Sequence, residues 1–161
     1  DKNIVMAAGQ ALPMTQKEVR LVKTVSVPQG VAALLAFSPD EGLEANVEAM
    51  EEAKAGVRTV EVTRAIRTTS IGGLRIREGQ CIAVVDGKLK VARKTPAAAV
   101  KAALGHLPMD EVSLITLYYG ADTREGEART LAGELRRLHP QHDVEVVYGG
   151  QPHYYYIVSA E

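Results

Sequence analysis

At 161 residues, 46% apolar and 24% charged, the chain has room for one ordinary domain or two small α/β lobes. Its 19 Lys+Arg nearly cancel its 20 Asp+Glu, which argues against nucleic-acid binding by bulk positive charge and against a polybasic membrane anchor. The longest apolar run, Val31 to Phe37, falls far short of the ~20 residues a membrane span needs, and no signal-peptide pattern opens the chain.

The sequence starts at Asp1 rather than Met, with a helix-capping residue type directly before apolar residues, and reads as a fragment of a longer polypeptide. Asp1 or Asn3 is expected to cap a short helix through Ala8 and Ala11, ended by Pro13. Val19 to Val25 alternates apolar residues with Arg20, Lys23 and Thr24, the pattern of a strand. Ser26 to Gly30 reads as a turn onto a buried helix, VAALLAF, broken by Ser38-Pro39-Asp40. Leu43, Val47, Met50 and Ala53 mark an amphipathic helix closed by Gly56 in the role of a C′ glycine.

From Val57 to Ile66 the β-branched residues predict a strand. Gly72-Gly73 and Asp86-Gly87 predict turns, the latter in a hairpin, where a type I′ turn needs φ > 0 at both central residues. Thr95-Pro96 starts a helix through Leu104. A strand over Val112–Tyr119, a helix over Arg124–Leu138, and strands over Val144–Tyr148 and Tyr154–Ser159 follow. The expected class is α/β with a mixed (α+β) sheet, divided into a truncated α/β lobe over 1–56 and a mixed β-sheet/helix lobe over 57–161. A lone strand in the first lobe has no ladder partner there, so pairing in a homodimer or against the other lobe is expected.

Catalytic and metal signatures are absent. The chain has no G-x-S-x-G, H-E-x-x-H, P-loop or dinucleotide fingerprint. The single cysteine, Cys81, lies in an apolar run and reads as a buried, inert thiol; a reducing cytoplasm follows from such cysteine usage. His106, His139 and His142 read as solvated or capping residues, and Glu48, Glu51 and Glu52 as a solvated helix face.

Two segments are candidates for ligand or partner binding. Ser26, Pro28, Gln29 and Gly30 stand at a helix start, whose free N–H groups suit an anion or a partner's carbonyl. Gly149, Gly150, Gln151 and Pro152 lead into Tyr154, Tyr155 and Tyr156, rigid amphipathic area of the kind interfaces favour. Strand alternation places Tyr154 and Tyr156 on one face and Tyr155 on the other. The alternative for this corner is a core lining.

SVPQGVAALLAFSPD, LEANVEAM, TRAIRTTSIGGLRIREGQCIAVVDGK, LYYGAD and VVYGGQPHYYYIVSAE together resemble the C-terminal region of bacterial fatty-acid kinase catalytic subunits, the dihydroxyacetone-kinase-like (Dak phosphatase domain) family. The resemblance spans nearly the whole chain and implies a DegV-like fold. It implies a non-catalytic recognition domain that docks an acyl-carrying DegV-like protein. ATP and magnesium would belong to an N-terminal kinase domain absent from this sequence, with no cofactor in this chain. A small-ligand binding domain, for a fatty acyl group or a three-carbon phosphate, is the alternative; Thr24 and Ser26 would be its hydroxyls.

Overall fold

Turn and cap chemistry sets most element boundaries in the computed structural model, which describes residues 2–161 and divides into two compact units, Asp1–Val57 and Arg58–Glu161. In the first unit, helix α1 (Lys2–Ala11) runs into a 3-10 turn over Leu12–Met14 containing Pro13. The capping role expected of Asp1 lies outside the described residues, and Asn3 sits inside the helix rather than at its cap.

No strand forms over Val19–Val25, contrary to its alternating pattern. Alternation produces a strand only where a ladder and a face to bury are both available, and none of these residues is buried. The segment is instead tethered to helix α3 (Leu43–Ala55): Arg20 pairs with Glu44 at 2.6 Å, and Lys54 Nζ donates to the Lys23 carbonyl at 2.9 Å. The ladder argument for a homodimer falls with the strand.

Helix α2 (Val27–Leu35) begins earlier than expected, so the Ser26–Gly30 segment is its cap and first turn. Nor is the helix buried. Only Pro28 and Ala33 are sequestered, while Leu34 and Leu35 are 69% and 81% exposed. Small residues suffice to pack α2 on α3, leaving the bulky ones outside. Gly56 caps α3 with φ −71, a right-handed conformation rather than that of a C′ glycine. Buried Asn46 secures the α2–α3 connection: its Oδ1 accepts from the Ser38 N–H at 2.7 Å, and its Nδ2 donates to the carbonyls of Ser38 (2.8 Å), Glu41 (3.0 Å) and Gly42 (3.2 Å).

The second unit contains strand β1 (Arg58–Arg64) and the small hairpin β2 (Thr69–Ile71) and β3 (Leu74–Ile76), turned by Gly72 and Gly73 at φ +58 and +81. Strands β4 (Cys81–Val85) and β5 (Lys88–Arg93) form the expected hairpin, with Asp86 and Gly87 both at positive φ. Helix α4 (Pro96–Leu104), strand β6 (Leu114–Tyr119), helix α5 (Glu125–Leu138) and strands β7 (Asp143–Tyr148) and β8 (Tyr154–Ala160) complete it. Six strands form one sheet in the order β5-β4-β1-β8-β6-β7. Only β6 and β7 are parallel, so the sheet is mixed as expected.

Val60, Val62, Ala83, Val91, Ile115, Leu117 and Val158 of the sheet form one core with Val100, Leu104, Leu131 and Leu135 of the helices. This core relies on aliphatic residues, as the low aromatic content demands. Lys101 and Glu134, 2.8 Å apart, tie α4 to α5. His142 is neither solvated nor a cap. It is buried, with Nε2 2.7 Å from the Met109 carbonyl. No helix among the described residues is long and apolar enough to cross a membrane.

Candidate functional site

Strand directions concentrate chemistry at one end of the second unit. β1, β5, β6 and β7 all run the same way, antiparallel to β4 and β8, so their carboxyl ends share one edge. Helices α4 and α5 follow β5 and β6 directly, so both begin there. Crevices outside the carboxyl ends of strands are where open α/β sheets hold ligands. Here that edge carries a cleft of about 420 Å³ whose lining includes Arg64, Lys94, Asp122, Glu127, Tyr155 and Tyr156.

Several lining groups are spent on holding the cleft together. Thr95 Oγ1 accepts from the Ala98 N–H at 3.2 Å and caps α4. Thr123 Oγ1 donates to the Tyr155 carbonyl at 3.1 Å, and the Glu127 carboxylate accepts from the Arg124 N–H at 3.3 Å at the start of α5. Burial pushes the Cys81 thiol up, with Arg64 opposing, which keeps it protonated and poorly nucleophilic. Burial, and secondarily the Glu127 charge, push the Tyr156 phenol up to about 12.

The Gly149–Tyr156 corner packs on the end of β6. The N–H groups of Gly149 and Gly150 both reach the Tyr119 carbonyl, at 3.0 and 3.3 Å, and Gln151 Nε2 donates to the Tyr118 carbonyl at 2.9 Å. Gly150 needs its φ of +65, and His153 adopts +69. The tyrosines do not divide as alternation predicts. The register with β1 slips between Val62, opposite Tyr156, and Thr63, opposite Tyr154. This bulge leaves Tyr155 as the extra residue, and Tyr155 and Tyr156 line the cleft together. Tyr154 is half-buried, and burial followed by the Glu61 charge raises its phenol.

The other candidate segment lies in the first unit. Ser26 Oγ accepts from the Gln29 N–H at 3.3 Å, and Gln29 Oε1 accepts from the Val25 N–H at 3.1 Å, so both side chains serve the helix start. Pro28 is fully buried, and a Cβ on Gly30 would lie 3.7 Å from Thr24 Oγ1.

Arg64, Lys94, Thr123 and Gly120 escaped the reading of the sequence. Gly120 alone left a signal, as a glycine directly after a strand: a Cβ there would run into the Tyr154 carbonyl.

A family model for the C-terminal domain of FakA-like fatty acid kinase proteins matches residues 1–161. The chain belongs to this family. This FakA-like C-terminal domain is 35% identical over 161 residues to protein YloV of Bacillus subtilis (strain 168), covering all of this chain and 29% of YloV. It is 29% identical over the same span to the uncharacterized protein SAR1202 of Staphylococcus aureus (strain MRSA252), again covering all of this chain and 29% of the relative. The domain thus spans less than a third of these relatives. Its fold is DegV-like: a DegV family protein from Thermus thermophilus, described for fatty acid binding, superposes with a TM-score of 0.59 at 14% identity, covering 98% of this chain and 66% of that one.

Proposed function

We propose that this domain is a recognition module of a fatty acid kinase, docking an acyl-carrying DegV-like protein whose fatty acid is phosphorylated elsewhere in the kinase. The ATP- and magnesium-dependent chemistry, in this reading, belongs to other parts of a protein of the relatives' length. The observation that carries the reading is the apolar face of α2. Val27, Val31, Leu34 and Leu35 recur at helical spacing and are 65%, 40%, 69% and 81% exposed, with Phe37 beside them at 51%. Contiguous apolar surface of this kind marks interaction sites, and a helix face offers a groove-binding partner a ready anchor.

The test is a binding titration of the 161-residue chain against an acyl-loaded DegV-like protein from the same cell. Leu34→Glu and Leu35→Glu are expected to change stability by no more than about 0.5 kcal/mol, since both side chains are exposed. Each should weaken binding by about tenfold or more, as loss of an interface hot spot does. Full binding by both variants would sink the reading.

The cleft at the strand ends favours a second reading, a small-ligand site. Its about 420 Å³ falls in the range of ligand pockets, and hydroxyl and cationic groups converge on it.

A further inference from the structure

The geometry points to the cleft between the starts of α4 and α5 as a binding site for the head group of a small monoanion, a carboxylate or a singly charged phosphate ester, with the Tyr156 hydroxyl as a principal donor. This inference extends the second reading and is independent of partner docking on α2.

Tyr156 is only 2% exposed, lines the cleft, and has no hydrogen-bond partner for its hydroxyl among the described residues. Its oxygen is not sealed off, since among the described residues the buried side-chain polar atom left without a partner is His142 Nδ1. The cleft gives the phenol access to a partner from outside. With its pKa raised to about 12, the hydroxyl stays protonated at neutral pH and is a standing donor.

Three further features converge on the same space. The helices α4 and α5, of 9 and 14 residues, both begin at the cleft, and Ala97 and Glu127 of their first turns line it. The side chains of Arg64 and Lys94, both in the lining, make no ion pair or hydrogen bond with another described residue. Asp122 and Glu127 line the cleft as well, so the four charged side chains cancel formally. That cancellation selects the class of ligand. In a cleft with no net side-chain charge, one negative charge is met by the phenol and the helix termini, whereas a second gains no net attraction from two cations and two carboxylates.

The experiment is a heteronuclear NMR titration of the 161-residue chain at neutral pH with acetate, dimethyl phosphate and sulfate. Acetate or dimethyl phosphate should shift the amides of Ala97, Thr123, Glu127 and Tyr156, with sulfate at least severalfold weaker; which monoanion binds tighter separates the carboxylate from the phosphate ester. Tyr156→Phe should weaken the preferred monoanion roughly tenfold, the value of a hydrogen bond to a charged group, and Arg64→Gln should weaken it severalfold. Because the hydroxyl has no partner among the described residues, Tyr156→Phe should leave the melting temperature unchanged or higher. Absent shifts, binding of sulfate as tight as that of the monoanions, unaltered binding by Tyr156→Phe, or early melting of that variant would each overturn the assignment.

Discussion

Asn46 holds more of the first unit's local order than any apolar residue near it. One buried amide satisfies four backbone groups across the α2–α3 connection, and no apolar side chain can replace those bonds. Asn46→Ala strands the Ser38 amide and the Glu41 carbonyl, while the Ser38 and Gly42 carbonyls keep the N–H groups of Glu41 and residue 46, and should cost about 2 kcal/mol, measured by urea unfolding. Gly120 makes a comparable demand in the second unit. A methyl group there meets the Tyr154 carbonyl, and the Gln151 carbonyl only 2.8 Å away, both backbone atoms that cannot swing aside. Gly120→Ala should therefore destabilise by roughly 1–3 kcal/mol and perturb Tyr155 and Tyr156, visible as altered tyrosine resonances. The role of Asn46 was not legible beforehand, and that of Gly120 only as a glycine directly after a strand. An asparagine inside an amphipathic helix looks like a solvated polar residue, and a close approach between strand ends is non-local.

Among the elements, those announced by local chemistry were legible. Gly72-Gly73 and Asp86-Gly87 adopt the positive φ their hairpins require, and Thr95-Pro96 caps α4 as that pair should. Errors arose where the deciding interaction is remote in sequence. Val19–Val25 has the alternation of a strand but is tethered through Arg20 and the Lys23 carbonyl instead. The apolar run in α2 suggested burial because hydropathy reports what water disfavours, not what covers it. The tyrosine corner was visible as a composition anomaly, whereas the bulge opposite Val62–Thr63 that brings Tyr155 beside Tyr156 depends on a pairing partner far away. Arg64 and Lys94 reach the same cleft only because β1 and β5 flank β4 in the sheet, so the cleft's cations gave no linear motif.

For the whole molecule, ionisation limits stability at both ends of the pH scale. Burial, and secondarily His142, hold the His139 imidazole below its ordinary 6.5, so the unfolded chain takes up that proton first. Its contribution is complete above pH 6.5 and erodes as pH falls through the lower folded value. At the alkaline end Cys81 and Tyr156 are raised above their ordinary 9.0 and 10.0, so stability is complete below these values and declines as pH rises beyond them towards about 12. A series of thermal melts should show a plateau between the two limbs, and His139→Gln should flatten the acidic one. The strand order has a further consequence, for synthesis on the ribosome. Strand β8 sits between β1 and β6, pairing Val158 with Val60 on one side and Leu117 on the other, yet it follows both in the chain. During translation the β5-β4-β1 half and the β6-β7 half emerge with a missing rung between them, each exposing an unpaired edge. The nascent second unit stays open to chaperones and to mispairing until Tyr154–Ala160 leaves the exit tunnel, and its folding is thereby timed to one late segment rather than spread along elongation.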